Sequence, residues 1–227
     1  MKHHIGQTVR VKGGIVAPDD PLLDLSGWQG RIIGTSEDEN GDPFVLIEWD
    51  SLTLASMPRA YLEQSAREGL SWSEYYLGME EVEPAQPRDS KSEVEQMIAK
   101  IESHICWLSM GEEGERIQAV LNTATAQDEW SYLIAWTEHL QQVLEFPFDA
   151  VVYENQERGP LKTGDKLKVL AIEMEDDLYG IIVQCRQGKR RYDFPLCDLA
   201  AVNKHSPNAQ HIDDYRVWFA NRYINMK

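Results

Sequence analysis

Gly164-Asp165-Lys166-Leu167-Lys168-Val169 decides the fold class, together with the segments that follow it: Tyr179-Gly180-Ile181-Ile182-Val183, Gln187-Gly188-Lys189 and Asp193-Phe194-Pro195-Leu196. Leu167 and Val169 alternate with lysines, the two-residue period of a half-buried strand. Tyr179–Val183 reads as another strand, Gln187-Gly188-Lys189 as a turn, and Asp193–Leu196 as a short edge. Several short strands in so little chain predict a small SH3-like barrel over residues 147–203.

The same register occurs at Gly6-Gln7-Thr8-Val9-Arg10-Val11. Gly27 to Gly34 reads as a second strand there and Phe44 to Trp49 as a third, with Asn40-Gly41 between them as a hairpin tip. Pro58 to Gly69 reads as a short helix, and Trp72, Tyr75, Tyr76 and Leu77 are expected to pack back on the strands. Residues 1–84 are therefore read as an N-terminal SH3-like barrel, and the two barrels as weakly related repeats.

Residues 85–92 have the composition of a linker. Ser92 followed by Glu95 fits a capping box. Val94, Ile98, Ile101, Ile105 and Leu108 recur at helical spacing. Further helices are expected over 115–123 and 125–145, the last stopped by Pro147, which disfavours helical geometry at Phe146. Residues 93–146 thus form a helical segment. Residues 204–227 form a helical tail whose aromatics (Tyr215, Trp218, Phe219 and Tyr223) are expected to dock on the protein's own core, a dimer contact being the alternative. The predicted class is α+β, mainly β: two small SH3-like β-barrels joined by a helical segment, with a C-terminal helix.

Composition narrows the function. The 227 residues are 42% hydrophobic with seven Trp, which is not a disordered composition. No apolar run is long enough to span a bilayer and no export signal is read at the N-terminus, so a soluble cytoplasmic protein is expected, with no membrane partner. Cys106, Cys185 and Cys197 are odd in number and widely spaced, which argues against a disulfide framework or structural zinc. Acidic residues exceed basic ones by 38 to 22, net −16. Nucleic-acid binding needs basic groups to displace condensed counterions, so no nucleic-acid partner is expected. Residues 1–90 carry net −9, residues 91–146 net −7, residues 147–203 net −2 and the tail net +2.

The sequence holds no GxSxG, P-loop, HExxH or GxGxxG, and its six His are scattered, so no enzyme is expected. Ser36 to Asp42 is acidic, but placing Gly41 at the glycine of an EF-hand loop puts Ile47 where the bidentate glutamate must stand. That segment reads as a solvated hairpin turn. Asp19, Asp20 and Asp24 form a weaker cluster, read as a loop. The stronger candidate is Glu173-Met174-Glu175-Asp176-Asp177, ahead of the strand from Tyr179. Four neighbouring carboxylates repel one another, and a divalent cation relieves that repulsion. In a strand-to-strand loop they can converge with Glu154 or Glu157.

The stretch from Trp130 to Val202 resembles the small acidic calcium-binding protein family of cyanobacteria. The residues that carry the resemblance are Leu144-Glu145-Phe146-Pro147-Phe148-Asp149-Ala150, Gly159-Pro160-Leu161 leading to Gly164-Asp165, and Pro195-Leu196-Cys197-Asp198-Leu199. The resemblance implies a helix packed on a small β-barrel that binds Ca²⁺ through surface carboxylates without an EF-hand and buffers the ion. By position, Glu173, Glu175, Asp176 and Asp177 are the implied ligands, with Glu154 and Glu157 as loop partners. The resemblance leaves the first barrel unexplained.

Two functional expectations follow. One is a calcium-binding protein with non-EF-hand carboxylate sites. The alternative is a protein–protein interaction module with no ion requirement, using barrel edges open to strand addition and gripping a basic or hydrophobic partner. The oligomeric state is not legible.

Overall fold

A computed structural model describes residues 4–17, 20–37, 41–154 and 159–223. The chain divides into two compact units, Met1–Ser109 and Met110–Lys227.

The first unit contains β1 (Thr8–Val11), β2 (Gln29–Glu37), β3 (Pro43–Trp49), α1 (Ser51–Ser56), α2 (Arg59–Glu68), β4 (Glu74–Gly78), β5 (Val82–Pro84) and α3 (Lys91–Ile105). Its strands form one antiparallel sheet in the order β4-β3-β2-β1-β5. Alternation works as expected on β3, where Val45, Ile47 and Trp49 are all fully buried. They meet Val9, Val11, Ile32, Leu77 and Val82 from the other strands, Leu54 and Leu62 from α1 and α2, and Val94 and Ile105 from α3. Gly30 is required by a close approach: a Cβ there would lie 2.2 Å from the Glu48 carbonyl oxygen on β3. The helix expected over 58–69 is α2, closed by Gly69 at φ 68°. Trp72 and Leu77 pack into the core as expected, whereas Tyr76 is exposed.

The start of α3 differs from the expectation. The capping box is Ser90 with Glu93, not Ser92 with Glu95. Both pairs fit the spacing, and the residues just before Ser90 decide between them. Arg88 donates to the Asp50 carboxylate at 2.7 and 2.8 Å, and the Asp89 carboxylate is held by Arg31 and by the Ser51 amide. The chain is thereby fixed where Ser90 can turn into the helix.

The second unit contains α4 (Gly111–Leu121), α5 (Glu129–Val143), β6 (Phe148–Val152), β7 (Lys166–Asp176), β8 (Gly180–Gln187), β9 (Arg190–Pro195), β10 (Leu199–Ala201) and α6 (Pro207–Asn221), with a 3₁₀ turn at Leu196–Asp198. Its antiparallel sheet runs β10-β6-β7-β8-β9. Val169, Ile181, Val183 and Leu199 are buried strand residues, Leu196 is buried in the 3₁₀ turn, and Trp136, Leu140, Ile212, Tyr215 and Trp218 are buried helical residues of the same unit. The tail aromatics thus dock on the protein's own core as expected, except Tyr223, which is exposed.

The α+β, mainly β class matches expectation, but the sheets are open: among the described residues no ladder joins the outer strands of either one. The two sheets share one topology. In each, the fifth strand pairs with the first, followed by the second, third and fourth in order. The first unit inserts α1 and α2 between its third and fourth strands, where the second has only the turn Gly188-Lys189. The repeat read from sequence is therefore displaced by one strand. Thr8–Val11 is the first strand of its sheet, but Lys166–Val169 opens the second strand of the other. A glycine followed by alternating apolar residues marks entry to a strand, not the strand's rank in a sheet.

Candidate metal centre

The acidic run is less of a loop than its composition suggests. β7 continues through Asp176, so Glu173, Glu175 and Asp176 belong to a strand and only Asp177 lies in the turn, with Leu178 and Tyr179. The pairing steps from Ile172 opposite Val183 to Met174 opposite Ile182, which leaves Glu173 as the extra residue of a bulge. Glu175 stands opposite Ile181 and Asp176 opposite Gly180. Residues opposite one another share a sheet face, and successive residues alternate. Glu175 is therefore on the face of the buried Ile181, and Asp176 is on the other. Glu173 and Asp177 are exposed, while Glu175 and Asp176 are half-buried.

Asp176 has a local task. Its Oδ1 accepts from the Leu178 amide at 2.9 Å and the Tyr179 amide at 2.8 Å, closing the turn as Asx residues do. Gly180 follows at φ 73°, a left-handed conformation suited to glycine.

The 3₁₀ turn at Leu196–Asp198 gathers the remaining pieces. The Tyr153 and Glu154 amides both donate to the Asp198 carbonyl, at 2.8 and 3.2 Å. The Cys197 thiol lies 3.8 Å from the Tyr179 carbonyl. Glu154 and the acidic turn thus abut the same short segment, although they are far apart in sequence. Glu157 lies outside the described residues. Asp198 joins this neighbourhood and was missed by sequence reading, because the connection that places it runs between β9 and β10 rather than through an acidic run.

Cationic side chains of α6 and its end lie near this end of the sheet, Arg222 acting on Cys197 and Arg216 reaching the 3₁₀ turn directly. Arg216 of α6 donates from Nε to the Cys197 carbonyl at 3.1 Å, pairs with Asp213, and lies over the Tyr153 ring at 3.9 Å. Burial, reinforced by Asp198, pushes the Cys197 thiol up to about 12, so it is a thiol and not a thiolate ligand at neutral pH. Among the described residues, no group of three or more His, Cys, Asp and Glu side chains is placed to hold a metal ion.

Of the other acidic clusters, Asp20 and Asp24 each serve a local turn. Asp20 accepts from the Leu22 amide and Asp24 from the Ser26 amide. The Ser26 hydrogen bonds hold the Asp24 carboxyl below its ordinary range. Asp19 and residues 38–40 lie outside the described residues.

Comparison with known proteins singles out this half of the chain. Residues 115–219 match the model of the CcbP family, described as calcium binding. That segment contains the whole stretch, Trp130 to Val202, whose motifs resemble the cyanobacterial calcium-binding family. The crystal structure of CcbP from Anabaena aligns at 22% identity over 47% of this chain and 90% of that one, with a TM-score of 0.39. A calcium-binding protein in its calcium-binding form aligns at 22% identity over 48% and 90%, with a TM-score of 0.37. No curated protein matches the chain. Among the described residues no helix is long and apolar enough to cross a membrane.

Proposed function

We propose that this chain binds Ca²⁺ through carboxylates at the β7–β8 end of the second unit and buffers or senses the free ion. The observation that carries the reading is the coincidence of two facts. The segment matching a calcium-binding family, 115–219, contains the Glu173–Asp177 run, and that run ends in a turn abutting the segment that also receives Glu154. The proposed ligands are Glu173, Glu175, Asp176, Asp177, Glu154 and Glu157. Oxygen donors of this kind suit a hard cation with a flexible coordination shell. Because strand alternation spreads the carboxylates over two faces, bridging waters and movement of the exposed side chains complete the shell. Affinity on the order of 10⁻⁵–10⁻³ M is expected for so loosely organised a set.

The test is calorimetric titration of Ca²⁺ into chelator-stripped protein, with Mg²⁺ and physiological salt present to screen loose condensation. The wild type should give saturable heat, and the variant E175Q/D176N/D177N should give none. Asparagine at 176 keeps an acceptor for the Leu178 and Tyr179 amides, so the turn survives and lost binding reports on charge. Undiminished binding in that variant would move the site elsewhere.

A second reading has one observation in its favour. Tyr153, Leu178 and Tyr179 are all exposed around the same turn. An apolar rim of this kind suits a protein partner. Capture of a partner at equal yield with and without Ca²⁺ would favour an ion-independent interaction module.

A further inference from the structure

The second unit holds a histidine pair that the acidic turn does not involve. His139 on α5 and His211 on α6 approach until Nε2 of the first lies 3.3 Å from Nδ1 of the second. Their rings meet edge to face with centroids 5.2 Å apart. His139 is braced from behind by Trp136, one turn earlier on α5, at 5.8 Å. Both imidazoles open on a cavity of about 350 Å³ between α4, α5 and α6.

The nitrogen separation has a chemical meaning. With Zn–N bonds of about 2.0–2.1 Å, two nitrogens on one ion lie roughly 3.4 Å apart at a tetrahedral angle and roughly 2.9 Å apart at a right angle. The observed 3.3 Å falls in that span; in the metal-free chain the same contact is a hydrogen bond, one ring donating and the other accepting. The surroundings suit a cation. With neutral imidazoles, the charged groups lining the cavity are Arg116, Asp214 and Glu138, a net charge of −1. Arg116 and the buried Asp214 are joined by two hydrogen bonds, at 2.7 and 2.9 Å, which fixes the carboxylate beside the pair.

We infer that His139 and His211 form an open two-histidine site for a borderline transition-metal dication, Zn²⁺ being the type case. Nitrogen donors select against Ca²⁺ and for Zn²⁺, Ni²⁺ or Cu²⁺, so this site is chemically distinct from the acidic turn. Since the described residues supply no three-ligand group, water fills the remaining positions from the cavity. Such a site exchanges its ion readily and leaves positions open to a further ligand.

The test is titration of Zn²⁺ into the full chain carrying His3→Gln and His4→Gln, which removes the adjacent histidines of the N-terminus. Excess Ca²⁺ and Mg²⁺ are kept present to occupy carboxylates. One saturable equivalent is expected, and His139→Gln and His211→Gln should each weaken it at least about tenfold. Cu²⁺ bound to the parent should show electron-resonance coupling to two imidazole nitrogens, a readout that needs no further variant to fold. Absence of saturable Zn²⁺ binding overturns the inference, as does Zn²⁺ binding of parental strength in both variants, or copper coupling to fewer than two imidazoles.

Discussion

The hydroxyl of Tyr215 accepts a hydrogen bond from the Ile181 amide at 2.8 Å, with both residues fully buried. Burial pushes the phenol well above its ordinary range, so it remains neutral and keeps its acceptor role at any physiological pH. The contact fastens α6 to the first residues of β8, immediately after the acidic turn. Gly180 makes room for it. A Cβ at that position would lie 2.3 Å from the Tyr215 oxygen and 2.5 Å from the Phe219 ring.

Tyr215→Phe removes the acceptor and leaves the Ile181 amide buried without a partner. A loss of about 1–3 kcal/mol in unfolding free energy is expected, with little change in ring packing. Gly180→Ala should cost more, because it combines a left-handed backbone with a collision against α6. Urea denaturation of both variants checks the ranking. An alanine variant as stable as the wild type would mean that α6 does not fix the turn.

Asp50 carries two loads in the first unit. It caps α1 by accepting from the Thr53 amide at 2.8 Å and receives two hydrogen bonds from Arg88, whose guanidinium it holds in the charged form. Asp50→Asn keeps the cap and loses the ion pair. Asp50→Ala loses both, and the difference should be about 1 kcal/mol, the usual worth of an N-cap. Equal melting temperatures for the two variants would show that the cap contributes nothing here.

What the sequence reveals and what it conceals have physical reasons. Leu167–Val169 is legible because its apolar residues alternate with lysines, and Phe44–Trp49 because it is a short apolar run following turn residues. The helix over 59–68 is legible because Pro58 and Gly69 bracket it. The rank of a strand in its sheet is not legible, since it is set by hydrogen bonds between distant segments. That is why Gly6–Val11 and Gly164–Val169 look equivalent and are not. The acidic run at 173–177 is visible in composition, but the bulge at Glu173 and the alternation of Glu175 and Asp176 depend on pairing with β8. His139 and His211 are 72 residues apart and share no pattern. Only the packing of α5 against α6 makes them a pair.

His139 also makes stability depend on pH. Burial first, and the adjacent His211 second, lower the pKa of His139 in the folded chain from its ordinary 6.5, while Asp214 opposes them. Above that ordinary value His139 is neutral in both states and contributes no slope. As pH falls below it, the unfolded chain takes up a proton that folded His139 refuses until its own lower pKa is reached. The unfolded state then binds more protons, so stability rises with pH across this window and is lost as pH falls through it. Melting curves of metal-free protein between neutral pH and about one unit below 6.5 should show this fall. His139→Gln, neutral throughout, should flatten it. A slope in His139→Gln equal to that of the wild type would assign the dependence to other groups and remove His139 as its source.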